Sequence, residues 1–171
     1  KLEDGTDDVA AYEYDGMNRI KARFDADDRD GTITEWHYDF APEGCERTEC
    51  TNVAGATAAI SYAMQLGDGL VEAGMDRFGY DVRRRKIFEA RRIGSLADLV
   101  TRHQYDNRDR AVQTTHPNGT VVTAEFDDFN RVTALPGFID SVSYNARNQV
   151  EAVRYANGTT HTRAYDNLLR V

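Results

Sequence analysis

The last third of the chain is one pattern written twice. Tyr105-Asp106-Asn107-Arg108 returns as Tyr144-Asn145-Ala146-Arg147. Asn118-Gly119-Thr120 returns as Asn157-Gly158-Thr159, and Phe126-Asp127-Asp128-Phe129-Asn130-Arg131-Val132 returns as Tyr165-Asp166-Asn167-Leu168-Leu169-Arg170-Val171. Every pair is offset by 39 positions. Nine of the 28 aligned positions are identical, which fixes the register of the repeat. A period of this size constrains the fold more than composition does. It marks supersecondary units that stack on their neighbours because one alone cannot bury a face.

Each unit splits again. The aromatic anchors Tyr105, Phe126, Tyr144 and Tyr165 follow at steps of 21, 18 and 21. Each step fits one β-hairpin, two strands of about 5–8 residues and two short turns. Thr120 to Phe126 and Thr159 to Tyr165 are rich in β-branched and aromatic residues, so both read as strands. Asn118-Gly119 and Asn157-Gly158 precede them. Asn-Gly predicts a type I′ hairpin turn with two positive φ values. The Asp-x-x-x-Arg segments, Asp106 to Arg110, Asp127 to Arg131 and Asp166 to Arg170, read as the opposite turns. There the carboxylate bonds the backbone two residues on, and the arginine reaches back to it.

These residues resemble the YD repeat of Rhs proteins. The closest single match is Tyr14-Asp15-Gly16-Met17-Asn18-Arg19-Ile20, against the family's Tyr-Asp-x-x-Gly-Arg-Leu. Tyr38-Asp39 and Tyr80-Asp81 carry the same pair. The family's glycine before arginine is replaced by Asn18, Asp109 and Asn130. Asn and Asp tolerate the left-handed conformation that glycine would supply. The resemblance covers 12–39 and 103–171.

It implies an all-β chain of tandem antiparallel hairpins, pairing edge to edge into a long curled sheet that forms part of a hollow β-shell. In bacterial Rhs and insecticidal toxin-complex proteins such a shell holds a toxic C-terminal polypeptide, and a related shell occurs in teneurin adhesion receptors. By that resemblance the segment is structural and non-catalytic, secreted or at the bacterial cell surface. Its partners are the rest of the shell polypeptide and the encapsulated toxin. The rival reading is a surface adhesin that binds glycans through exposed tyrosines.

The rest of the sequence supports these expectations. No linker divides 1–171, so one domain is expected, a fragment of a larger shell. A start at Lys1, with no Met or leader, also suggests a piece of something longer. No apolar run reaches the roughly 20 residues of a membrane helix. A formal charge of −8 argues against a nucleic-acid partner.

Along the chain, Val9 to Tyr14, Ile20 to Phe24 and Thr32 to Tyr38 read as strands, with an acidic turn at Asp25 to Gly31. Ala54 to Leu66 reads as a strand by its aromatic spacing, since Tyr14, Tyr38 and Tyr62 are 24 apart. Asp68 to Glu72 looks like a damaged YD turn. Arg83 to Arg92 reads as a basic strand pair or one extended strand, and Ser95 to Leu99 as a helical turn capped by Ser95. Leu99 to Tyr105 is again strand.

Few constellations suggest chemistry. Asp25 to Gly31 resembles a calcium loop but lacks the two strongest ligand positions, so an Asp-Gly turn is favoured. His37, His103, His116 and His161 have no zinc spacing. Cys45 and Cys50 could be a loop staple, a redox pair or two free thiols. Arg83 to Lys86, with Arg91 and Arg92, are expected to pair with the chain's own acids. The aromatic column Tyr14, Tyr38, Tyr62, Tyr80, Tyr105, Phe126, Tyr144 and Tyr165 reads as structural packing. No catalytic triad, phosphate loop or cofactor motif is present, so no enzyme and no cofactor are expected.

Overall fold

The structure is a computed structural model. It describes residues 9–40, 45–46, 48–65 and 71–171. The chain is built almost wholly of antiparallel strands, as the hairpin repeat requires, and divides into two compact units, Lys1–Arg102 and His103–Val171.

In the first unit the strands follow one another in sequence order, each antiparallel to the next. They are β1 (Ala10–Tyr14), β2 (Ile20–Asp25), β3 (Thr34–Tyr38), β4 (Thr57–Gln65), β5 (Val71–Tyr80), β6 (Lys86–Ile93) and β7 (Leu99–Tyr105), which the unit boundary divides. The strand expected at Ala54 to Leu66 is observed as β4 over Thr57–Gln65, after a turn at Ala54 to Ala56; Leu66 lies outside the described residues. Of the damaged turn expected at Asp68 to Glu72, residues 68–70 lie outside the described residues, and Val71 and Glu72 are already strand in β5.

Three local expectations are corrected. The acidic segment closes with one turn of helix, α1 (Arg29–Thr32), and not with an Asp-Gly turn. Asp28 caps it, its carboxylate accepting the Gly31 N–H at 3.2 Å. The Thr32 hydroxyl donates back to the Asp28 carbonyl at 2.5 Å. A side-chain cap satisfies an otherwise orphaned donor, which favours helix here. Arg83 to Arg92 is half turn and half strand, because Asp81 to Arg85 forms a YD turn before β6 begins. Ser95 lies in a plain turn, where the Leu96 N–H bonds the Ile93 carbonyl.

The core of the first unit lies where the 48–56 segment covers the sheet. Phe88 and Ala90 pack with Cys50, Val53 and Ala58, and Phe88 is 3% exposed. Cys45 and Cys50 are disulfide-bonded, so the staple is the form observed. Gly79 allows the covering segment to descend. A Cβ there would lie 1.8 Å from the Glu49 carbonyl oxygen. The segment is pinned by its backbone: the Tyr80 N–H donates to the Thr51 carbonyl at 2.9 Å, and the Thr51 hydroxyl to the Tyr80 carbonyl at 2.7 Å.

In the second unit β8 (Ala111–Thr115) pairs with β9 (Val121–Thr123), and β10 (Glu125–Phe126) with β11 (Val132–Ala134). Then β12 (Ile139–Tyr144), β13 (Val150–Tyr155) and β14 (Thr160–Thr162) form a three-stranded sheet. Thr120 to Phe126 is thus two short strands. The Ala124 N–H still bonds the Val112 carbonyl, and the chain then changes partner. Arg163, 39 positions on, does the same with the Glu151 carbonyl, and β14 ends before it.

The Asn-Gly turns also differ from expectation. Only Gly119 and Gly158 have positive φ, 82° and 85°, while Asn118 and Asn157 do not. The Gly119 N–H bonds the His116 carbonyl, and the His116 N–H bonds the Thr120 carbonyl. This is the three-residue loop whose left-handed residue forms a bulge. The Asn118 carboxamide oxygen, accepting the Thr120 N–H at 3.0 Å, stabilises it without entering the left-handed region.

Candidate structural site: the ladder of YD turns

The repeated Asp-x-x-x-Arg segments share one geometry. In Asp15 to Arg19 the Asp15 N–H donates to the Arg19 carbonyl at 2.9 Å, and the Asn18 N–H to the Asp15 carbonyl at 3.0 Å. Asp15 Oδ1 accepts the N–H groups of Met17 and Arg19, at 2.9 and 3.0 Å. Arg19 Nε donates to Asp15 Oδ2 at 2.7 Å. One carboxylate thereby closes the turn from inside and holds the arginine at its base. The same arrangement recurs at Asp81 and Arg85, Asp106 and Arg110, Asp127 and Arg131, and Asp166 and Arg170.

The fourth residue of each turn is left-handed: Asn18, Arg84, Asp109, Asn130, Asn148 and Leu169 have φ between 59° and 66°. Asn and Asp adopt this region with little strain, and Arg84 and Leu169 do so with more. The extra residue appears as a register shift beside the anchor, at Glu13/Tyr14, Gly79/Tyr80, Glu125/Phe126 and Ser143/Tyr144.

The arginines also reach forward to the following turn. Arg19 Nη2 donates to Asp39 Oδ2 at 2.7 Å. Arg110 Nη1 donates to the Asp127 carbonyl and to Asn130 Oδ1, both at 3.2 Å. Arg131 Nη1 donates to Asn148 Oδ1 at 2.8 Å. Each guanidinium lies over the following anchor: Arg19 over Tyr38 at 4.2 Å, Arg110 over Phe126 at 4.6 Å, Arg131 over Tyr144 at 4.4 Å. The ring's negative face and the cation attract.

The anchors answer with their hydroxyls. Tyr38 donates to the Ile20 carbonyl at 2.9 Å, Tyr144 to Val132 at 2.8 Å, and Tyr165 to Val150 at 2.8 Å. Each acceptor is the residue after the previous turn's fifth position. The result is a ladder. Arg19, Arg110 and Arg131, each with the next aromatic, join consecutive hairpins.

The electrostatics follow this geometry. The Arg19 N–H and then its guanidinium hold the Asp15 carboxyl below the ordinary carboxylate range. At Asp81, Asp106 and Asp127 partial desolvation pushes upward, and the combined bonds from the paired arginine and its neighbour's N–H win. Asp166 is lowered by the Arg170 N–H and guanidinium. The carboxylates of Asp39 and Asp15 raise the Arg19 pKa.

Two members depart from the pattern. Tyr38-Asp39 does not form the common turn. Asp39 is itself left-handed, at φ 71°, and its carboxylate receives Arg19 and the Gly55 N–H. Asn145 replaces an aspartate and Gln149 its arginine. Their side chains bond at 3.0 Å, and Gln149 Nε2 reaches the Leu169 carbonyl at 3.4 Å. Sequence reasoning missed Arg85 and Gln149 as members. Arg85 was legible from its spacing to Asp81 but was hidden in the basic run. Gln149 was legible only from its 39-residue offset to Arg110.

The other candidate groups are engaged locally. Asp25 Oδ1 accepts the Asp27 N–H at 2.9 Å, and Asp28 caps α1. His37 bonds Ser61 at 2.8 Å, and His103 bonds Thr114 at 3.1 Å. Arg91 pairs with Asp76, Arg92 and Arg77 with Asp98, and Lys86 with Glu89. Of the eight column aromatics, Tyr14 is exposed, at 56%, and the others are half-buried.

No family model matches the chain, and no curated protein matches it in sequence. Solved structures do match. TcdB2-TccC3-TEV aligns with a TM-score of 0.50 at 12% identity, over 92% of this chain and 10% of that one. TcdB2-TccC3 without its hypervariable C-terminal region gives 0.49 at 12% identity, over 93% and 12%. TcdB2-TccC3-Cdc42 gives 0.49 at 11% identity, over 94% and 11%. The chain therefore spans about a tenth of the length of these structures, and what it shares with TcdB2-TccC3-TEV is its fold.

Proposed function

We propose that this chain is a length of wall in a YD-repeat shell that encloses a toxic C-terminal polypeptide, working by structure and not by turnover. The observation that carries the reading is the ladder. Its arginines are spent on joining one hairpin to the next, so repeats can be added without a new kind of contact. The fold shared with the toxin-complex structure TcdB2-TccC3-TEV supports the same reading. So does the engagement of the turn carboxylates by backbone N–H groups and arginine, which leaves them committed to the wall. A shell of this kind acts outside the cell that makes it, secreted or at the surface. Its partners are the remaining wall of the same polypeptide and the cargo.

A glycan platform has less support. It needs exposed, coplanar rings, whereas the column rings are mostly half-buried and the hydroxyls of Tyr38, Tyr80, Tyr144 and Tyr165 are bonded to carbonyls.

The test is protease protection of the polypeptide that carries this segment, digested natively and after mild denaturation. A C-terminal piece that survives natively and is degraded once the wall opens is the expected result. Immediate cleavage, or no such piece, overturns the proposal.

A further inference from the structure

The segment that covers the core of the first unit is held down in two different ways along its length. From Thr51 onward the hold is hydrogen bonding to the sheet and its turns. Thr51 bonds Tyr80 through both its carbonyl and its hydroxyl, and Asn52 Nδ2 donates to the Tyr80 carbonyl at 2.8 Å. Arg84 Nη1 donates to the Asn52 carbonyl at 3.1 Å, and the Gly55 N–H donates to Asp39 Oδ1 at 2.5 Å. Before Thr51 the bonds turn inward. The N–H groups of Glu49 and Cys50 both donate to the Glu46 carbonyl, at 2.9 and 3.1 Å, which shapes the loop without tying it to the sheet. Yet here the segment comes closest to the strand below, with the Glu49 carbonyl oxygen where a Gly79 Cβ would stand. Among the described residues this half is tied by the ion pair of Glu49 with Arg102, at 2.6 Å, and by the disulfide. The Arg102 side chain is 53% exposed, so water weakens the pair. The disulfide fixes Cys45 to Cys50, which is 4% exposed within the Phe88 cluster.

We propose that the Cys45–Cys50 bond is a redox latch on this segment. Bonded, it seats Glu49 against Gly79 at the edge of the Phe88 cluster. Reduced, it lets Glu49 and its turn lift while Thr51 to Ala56 stay down. Reduction takes a dithiol. One of its thiolates attacks Cys45 Sγ, the less buried sulfur, and the Cys45–Cys50 bond breaks as a mixed disulfide forms. The second thiolate then displaces Cys45 and the reductant leaves as a cyclic disulfide. Two electrons have passed to the protein, and the two protons of the dithiol end on Cys45 and Cys50. Cys50 keeps its place as a thiol, because a free cysteine packs as a small apolar side chain, but it no longer holds Cys45. The latch rests on the reading of this chain as acting outside the cell that makes it. The cytosol keeps thiols reduced and the exterior favours the bond, so the segment is fully seated only after export. The protease experiment reads enclosure and the experiment below reads the latch, so either can fail alone.

The test is amide hydrogen exchange, read by nuclear magnetic resonance, on the oxidised chain and on the chain in dithiothreitol buffer without denaturant. A Cys45→Ser variant in the same buffer cannot close the bond and leaves the buried Cys50 in place. Reduction should speed exchange at the Glu49 and Cys50 amides by about tenfold or more, with the Tyr80 and Ala56 amides unchanged within about twofold. The variant should match the reduced chain, and glutathione disulfide should restore slow exchange in the parent but not in the variant. A bond that yields to dithiothreitol only after denaturation overturns the proposal, as does equal exchange in the two states. Loss of protection at Tyr80 and Ala56 together with Glu49 overturns it too, because the bond would then staple the whole segment and latch no part of it.

Discussion

The first unit packs Phe88 and Ala90 against Cys50 and Val53 of a disulfide-closed covering segment, and its buried group includes the charged Asp76 and Arg77. The second unit, though its repeat is far more regular, buries one hydrophobic residue, Ala134, which is 8% exposed. It is built from three linked rungs, Arg110 to the Phe126 turn, Arg131 to the Tyr144 turn, and Gln149 to the Tyr165 turn. Regularity and core packing are thus alternatives in this chain. Where the repeat is intact, turn chemistry and stacked arginines order the sheet. Where it decays, between Tyr38 and Tyr80, an irregular segment is laid over the sheet and a conventional cluster forms beneath it.

Acid should separate the two units most widely. Asp106, Asp127 and Asp166 have depressed pKa values in the folded chain. Their stabilisation is present above the ordinary aspartate value of about 3.9 and is lost as pH falls through the lower folded values. Hydrogen exchange below about pH 4 should show protection lost first at the turns of the second unit. The first unit also loses Glu13, Asp15, Asp39, Asp81 and Asp98, but it keeps the Phe88 cluster, which does not titrate. Equal protection loss in both would erase the distinction.

Phe88→Ala attacks the other side of the comparison. Emptying this site should cost about 3–5 kcal/mol in urea unfolding followed by exchange in β5 and β6. Gly79→Ala should cost about 1–3 kcal/mol by forcing the covering segment off the sheet, and a crystal structure should show Glu49 displaced. In the second unit the smallest change is a gain. Leu169→Asn relieves a left-handed leucine and should stabilise the terminal turn by about 1 kcal/mol, read as slower exchange at its amides.

The legible parts of the fold were the local ones. Asp106 to Arg110 could be read from spacing, because a carboxylate bonding two and four residues on needs only short-range geometry. The strand at Leu99 to Tyr105 was legible for the same reason. The descent of Glu49 onto Gly79 was not, because 30 residues separate them and nothing local encodes the contact. Nor was the forward reach of Arg131 to Asn148. The sequence shows both residues, but only the stacking of hairpins brings them within 2.8 Å.

Arg19, Arg110 and Arg131 each join their own turn to the following one. Hydrogen exchange with mass spectrometry on Arg131→Ala tests it most directly. The predicted result is faster exchange in two separate places, the 127–131 turn that Arg131 closes and the 145–149 turn that it reaches. Faster exchange in the 127–131 turn alone would contradict the account, because the arginine would then close its own turn and join nothing.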